Sequence, residues 1–306
     1  SSGNIAIGNY TLEDVSDGTR ITAMGYAAGQ KCVTSDYCVF IGYEAGRDCN
    51  SNHHTFVGYN AGKDNDGMGN GNTAIGSYSM AAGTSGDSNE NTGVGYATLY
   101  ELTSGNNNTG VGNEAGKSVT SGYNNTLLGT QAGQSNSPSG TITTASNQVC
   151  LGNDSVTDLF CADTSISSSD ARDKTDVERF THGLSWISKL SPVTYRWDKR
   201  SWYVDDPDTS INEGVPDGSK KSPRLHIGFL AQEHLEVEKA HGFGTERNNM
   251  IITNLTEDGD RYGMKYERLV PVLVNAIKEL KAENDELRDL IKDSKTFASL
   301  KSQLNN

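Results

Sequence analysis

The hydrophobic positions of this chain follow two different rules. Up to about residue 160 they come in short pairs, each closed by a glycine: NIAIG, ITAMG, CVFIG, HTFVG, NTAIG, NTGVG, NTGVG, NTLLG and QVCLG. The closing glycines are Gly8, Gly25, Gly42, Gly58, Gly76, Gly95, Gly112, Gly129 and Gly152, at spacings of 17, 17, 16, 18, 19, 17, 17 and 23 residues. A nearly constant period of this length marks a repeat architecture. Each unit has too few apolar residues to bury a face of its own, so neighbouring copies must stack and share one core. The β-branched residues suit short strands, and Gly with Asn suits corners at positive φ. The pattern predicts a β-solenoid over residues 1–166, one coil per repeat, with the apolar pair pointing inward.

From Asp176 the rule changes. GLSWISKLSP places Leu184, Ile187 and Leu190 on one face of a short helix stopped by Pro192. VTYRW alternates Val193, Tyr195 and Trp197 with polar residues, a half-buried strand. A loop rich in Pro, Asp, Gly and Ser covers about 205–223, LHIGFLAQE reads as strand into helix, and a hairpin is expected around Asp258-Gly259. These elements make a small α+β core over 167–268. The last segment, 269–306, is a long helix. Leu273, Ile277, Leu280, Asn284, Leu287 and Ile291 alternate steps of four and three, a heptad seam flanked by Glu and Lys. Asn284 at a seam position sets register rather than adding stability. The seam either packs on its own domain or self-associates, and the charge-rich helix offers no other apolar face, which favours self-association. Ile alternating with Leu would by itself favour two strands. Beyond Ile291 the register breaks, and Phe297, Leu300 and Leu304 are expected to fray or fold back.

Charge sharpens the division. Residues 1–168 carry 5 basic and 15 acidic side chains, a net of −10, and the remainder 21 and 24, a net of −3. An acidic chain is not a default nucleic-acid binder. No apolar run is long enough to span a bilayer, so membrane insertion is not expected. Cys32, Cys38, Cys49, Cys150 and Cys161 form no C-x-x-C pair and read as small buried apolar residues. Asp64 and Asp66 in KDNDGMGNGN lack the later acidic ligand of a calcium loop and read as a surface turn. His53 and His54 are expected to be exposed, and His182 and His226, beside apolar residues, to be structural. No cofactor is called for.

Between the two regions lies SSSDARDK, residues 167–174. A serine five residues before a lysine is, by itself, an ordinary solvated linker. The motifs that follow change this reading. SDARDK, GLSWISKLSPVTYRW, IGFLAQE and YGMKYERLVPVLVNAIKEL, in this order over residues 168–290, resemble the C-terminal intramolecular chaperone domain of phage tail spikes and fibres, the endosialidase-type self-cleaving peptidases. The NTAIG and NTGVG repeats resemble the heads of trimeric adhesins and the shafts of tail fibres. The resemblance implies a homotrimer, a chaperone that folds the preceding β-structured fibre, and release of that chaperone by a cut between Ser168 and Ser169. Ser169 matches the serine at the cut and Lys174 the second member of a Ser-Lys dyad. Asp170 and Arg172 match the acidic and basic motif positions, with Arg172 expected to anchor the loop by an ion pair. Asp173 stands where many relatives have an apolar residue, which weakens the surroundings expected to desolvate Lys174. Chemically the pair is sound, because a serine hydroxyl needs a base and a neutral lysine can serve if burial removes its charge. The implied setting is a virion, with assembly in the host cytoplasm and a host surface receptor, a glycan among the candidates, as partner. The competing reading is a non-cleaving trimeric adhesin whose C-terminal domain only clamps three chains.

Overall fold

The computed structural model of the chain describes residues 2–64, 66–83, 86–160, 169–204 and 210–293, the last without its side chain. Ser168, Cys161, Phe297, Leu300 and Leu304 lie outside the described residues. The chain divides into two compact units.

The first unit holds residues 1–160, 198–221 and 256–261. Its repeats form nine three-residue strands: β1 Ile5–Ile7, β2 Thr22–Met24, β3 Val39–Ile41, β4 Thr55–Val57, β5 Thr73–Ile75, β6 Thr92–Val94, β7 Thr109–Val111, β8 Thr126–Leu128 and β9 Val149–Leu151. All pair in parallel, in chain order, with equivalent residues side by side. This is the expected β-solenoid. The apolar pair, however, does not point inward as a pair. Successive residues of a strand face opposite sides, so the middle one is buried (Ala23, Phe40, Phe56, Ala74, Leu127, Cys150) and the last faces outward. Ile7, Met24, Ile41, Ile75, Val111, Leu128 and Leu151 are consequently exposed by 36% or more.

The core compensates for volume from coil to coil. Where the buried strand position is Gly93 or Gly110, Ser79 with Met80, and Thr98 with Leu99, crowd the space that a side chain there would need. Register is held by a ladder of buried asparagines just before the strands. The backbone N–H of Asn91 donates to Asn72 Oδ1 at 2.9 Å, that of Asn108 to Asn91 Oδ1 at 2.8 Å, and that of Asn125 to Asn108 Oδ1 at 3.0 Å. Each Asn amide also donates forward, as Asn108 does to the Gly122 carbonyl at 2.8 Å. His54 takes this place in its own coil. It is therefore buried rather than exposed, accepting from the Asn72 N–H at 3.2 Å and stacking on Phe56 at 4.9 Å, while His53 is exposed and stacks on Tyr37. The strand-closing glycines are required by contact as well as by conformation: Gly25 has φ +137, and a Cβ there would run into the Gly42 carbonyl. Cys32, Cys38, Cys49 and Cys150 are buried and unpaired, and burial pushes the Cys38 thiol up to about 12.

The second unit holds residues 161–197, 222–255 and 262–306. Strand β10 (Val193–Tyr195) pairs antiparallel with β11 (His226–Gly228), and β12 (Thr253–Leu255) with β13 (Tyr262–Met264). The helices are α1 (Leu184–Ile187), α2 (Ala231–Ala240) and α3 (Leu269–Asp293). Helix α1 is a single turn. A three-residue period cannot act over one turn, and Trp186, not Leu184, lies in the centre of the core, with Val237, Ile252, Leu269 and Val272 around it and Ile187 and Leu190 at its edge. Helix α3 turns Leu269, Val272 and Ala276 inward. It is pinned by Asn275, whose amide donates to the Phe180 carbonyl at 2.8 Å, and by Glu279, which accepts from the Leu184 N–H at 2.6 Å. The seam residues Leu273, Ile277, Leu280, Leu287 and Ile291 are exposed by 41–65%, and Asn284 is exposed with them.

Candidate active site

The opening of the second unit is organised by one short turn. Asp170 is extended and its carboxylate accepts from the Arg172 N–H at 2.9 Å, capping the turn Ala171–Asp173. The Arg172 guanidinium then folds back on the same carboxylate, Nη2 to Oδ2 at 2.6 Å. These hydrogen bonds, the side-chain one first, hold the Asp170 carboxyl below its ordinary value. A neutral carboxyl would accept them more weakly, so Asp170 favours the turn when ionised. Lys174 leaves the turn extended, and its side chain reaches back over the five residues to Ser169. Lys174 Nζ donates to Ser169 Oγ at 2.7 Å and lies 3.3 Å from the Ser169 carbonyl oxygen.

The structure thus brings together Ser169, Asp170, Arg172 and Lys174 within one loop. It does not bury them: Ser169, Arg172, Asp173 and Lys174 are exposed in the single chain. The seam residues form a separate exposed stripe on α3. Asp64 is one of three carboxylates paired with Arg47, at 2.8 Å, beside Glu44 and Asp48, and Asp66 accepts from the Asn50 amide. His226 stacks on Tyr195 and His182 lies edge-on to His241, both as packing residues.

One buried polar cluster escaped the sequence. His234 on α2 is enclosed, with Nδ1 3.1 Å from Thr253 Oγ1 and Nε2 accepting from Trp186 Nε1 at 3.4 Å. Glu238, one turn later and fully buried, accepts from the Ile252 and Thr253 N–H groups at 2.6 and 2.9 Å. Burial pushes the His234 imidazole down to about 4. In sequence AQEHLEVEKA reads as a solvated helix, and nothing in its pattern signals two buried polar groups.

Residues 169–243 match the family described as chaperone of endosialidase, and the match begins at Ser169. No curated protein and no solved structure matches the chain. Among the described residues no helix is long and apolar enough to cross a membrane. The family supports an intramolecular chaperone role and, at a coarse level, autoproteolytic serine peptidase activity. A β-solenoid followed by this matched segment and a long helix fits a tail fibre carrying an endosialidase-type chaperone domain.

Proposed function

We propose that this chain is a tail-fibre segment whose second half assembles three copies, folds their solenoids, and then cuts itself free between Ser168 and Ser169. The observation that carries the reading is the 2.7 Å contact of Lys174 Nζ with Ser169 Oγ at the first residue of the family match. Neutral Lys174 takes the hydroxyl proton as Ser169 Oγ attacks the carbonyl carbon of Ser168. The tetrahedral intermediate collapses by breaking the bond to the Ser169 nitrogen, which takes the proton back from Lys174. The product is an ester of the Ser168 acyl group on Ser169 Oγ. Water then hydrolyses it to a Ser168 carboxylate and a free Ser169 hydroxyl. Asp170 and Arg172 hold the turn that keeps Lys174 folded back.

Trimerisation is supported by two apolar surfaces left open in one chain. One is the outward strand positions from Ile7 to Leu151, and the other is the seam from Leu273 to Ile291. Contiguous apolar surface of this kind calls for a partner. Burial of the exposed Lys174 would then come from the assembled trimer, which ties the cut to completed assembly. The freed solenoid would be the part that meets a host surface receptor.

Intact mass and a denaturing gel test the cut. Wild-type protein should give fragments 1–168 and 169–306, and Ser169→Ala, Lys174→Ala and Lys174→Arg should each give one band. The last is decisive for the base, because guanidinium stays protonated. The exposure of Ser169 and Lys174 in one chain favours a second reading, in which the domain is a clamp that never cuts. A wild-type trimer that remains a single band would select it.

A further inference from the structure

The first unit contains chain from both sides of the proposed cut. Segments 198–221 and 256–261 follow Ser169 in sequence yet pack with the solenoid as one compact body. Their contacts repeat, with side chains, what a further coil would supply with backbone. Within the stack, N–H groups of each coil donate to carbonyls of the next, as Gly105 does to Thr120 and Thr120 to Thr143. The last coil has no successor. There the Thr141 N–H donates to Asp258 Oδ2 at 2.8 Å and the Ala145 N–H to Glu257 Oε2 at 2.8 Å. Glu257 also takes the Thr144 hydroxyl at 2.6 Å. Two carboxylates thus stand in for the missing coil, and repeat stacks need such a terminal cap.

Beside this cap sits a buried charge. Asp154, just after β9, is 4% exposed and belongs to the fibre side of the cut. Its carboxylate receives Arg261 Nη2 at 2.8 Å, Lys199 Nζ at 3.6 Å and the Ser201 hydroxyl. Arg261 Nη2 additionally donates to the Ser135 carbonyl at 2.7 Å, and Lys199 Nζ to the Asp154 carbonyl at 2.8 Å. Among the described residues, the donors to the Asp154 carboxylate thus come from beyond Ser169. A carboxylate this enclosed is stable only while it stays paired.

We infer that the end of the solenoid is a docking surface for the chaperone's own Lys199, Ser201, Glu257, Asp258 and Arg261, so that cutting the chain does not part the two fragments. Cleavage and release are separate events. Release requires opening the Asp154 cage and uncovering the Thr141 and Ala145 N–H groups. The inference rests on the proposed cut after Ser168, but its test need not.

The full chain is prepared in two forms: wild type, and Ser169→Ala with a site-specific protease sequence inserted after Ser168, nicked after folding. A denaturing gel reports the cut, and native size exclusion reports whether the fragments travel together. The nicked full chain should elute as one species. With Asp154→Ala the fragments should separate, the complex being weakened about 100-fold or more, the scale for removing one partner of a buried charge pair. Should Asp154→Ala fail to fold, the double variant Glu257→Ala, Asp258→Ala removes the cap from the exposed chaperone side and should speed separation about tenfold. Immediate separation of the nicked parent into two folded fragments would overturn the inference, as would retention unchanged in both variants. Failure of the wild type to cut, with the nicked form still retained, would count against the peptidase reading alone.

Discussion

The two units reach stability by opposite routes. In the solenoid the recurring bonds join a residue to its counterpart one coil away: the Asn ladder, the strand pairing, the glycine-to-glycine approach. In the second unit one core around Trp186 is closed by contacts far apart in sequence, such as Asn275 with Phe180, 95 residues distant. A stack of this kind gains stability coil by coil. Only a few features, such as His54 in the ladder and the core glycines Gly93 and Gly110, distinguish the right neighbour from the next one along. A small domain with a single irregular core has one way to pack. A stack of near-equivalent repeats has more to gain from a uniquely folding neighbour than such a domain has from the stack, which suits the intramolecular chaperone role that the family match supports.

The largest blow to this contrast should come from Trp186→Ala. Emptying the centre of the second core should destabilise that unit by about 4 kcal/mol, the usual scale for a buried aromatic. Chemical denaturation should show the loss confined to the second unit, with assembly failing although every coil is unaltered. Loss of stability in the solenoid transition instead would dissolve the distinction.

Acid should separate the units next. His234 binds its proton less readily folded, at about 4, than unfolded, near 6.5. The unfolded chain thus holds more protons between these values, and stability is lost as pH falls from about 6.5 to 4, with no further loss from this group below 4. The shift corresponds to about 3 kcal/mol. Its imidazole faces Trp186, Thr253 and, 3.8 Å away, Glu238. Urea titrations at pH 7 and pH 4.5, repeated with His234→Gln, should show a pH-dependent second-unit transition that the variant flattens.

A smaller effect is expected from Asn108→Ala. It removes the amide that donates to Gly122 and the oxygen that accepts from Asn125, leaving buried groups unpaired at a cost of about 2 kcal/mol. Because the ladder repeats, hydrogen exchange should rise in the adjoining coils and fade with distance. A uniform rise along the whole stack would mean that the solenoid melts as one body.

Much of this was legible from residues alone. Period fixes a solenoid because a fixed spacing of Gly after apolar residues has few other physical meanings. The inward direction of the apolar pair was misread because two adjacent apolar residues look alike in sequence, while a strand must send them to opposite faces. His54 looked like surface beside His53, and only the ladder shows that its place faces the core. Trp186 displaced Leu184 because helix α1 is too short for its period to act. At the site, the spacing of Ser169 and Lys174 was readable; their exposure was not, since a five-residue spacing says nothing of what packs over the loop. The contacts of Lys199 and Ser201 with Asp154 at the last coil were not readable either, since they are polar and long-range and leave no periodic trace.

The solenoid's cysteines have a practical consequence. Thiolate, not thiol, is the reactive form, and with its proton held to about pH 12 Cys38 should react with alkylating reagents about a thousandfold more slowly than a free thiol. Cys32, Cys38 and Cys49 sit in adjacent early coils and Cys150 in the last one. Brief pulses of an alkylating reagent during folding, read by mass, would time the closing of each end of the fibre without any added label. Whether shielding begins at Cys150, in the last coil, or at Cys32 would give the direction in which the solenoid zips.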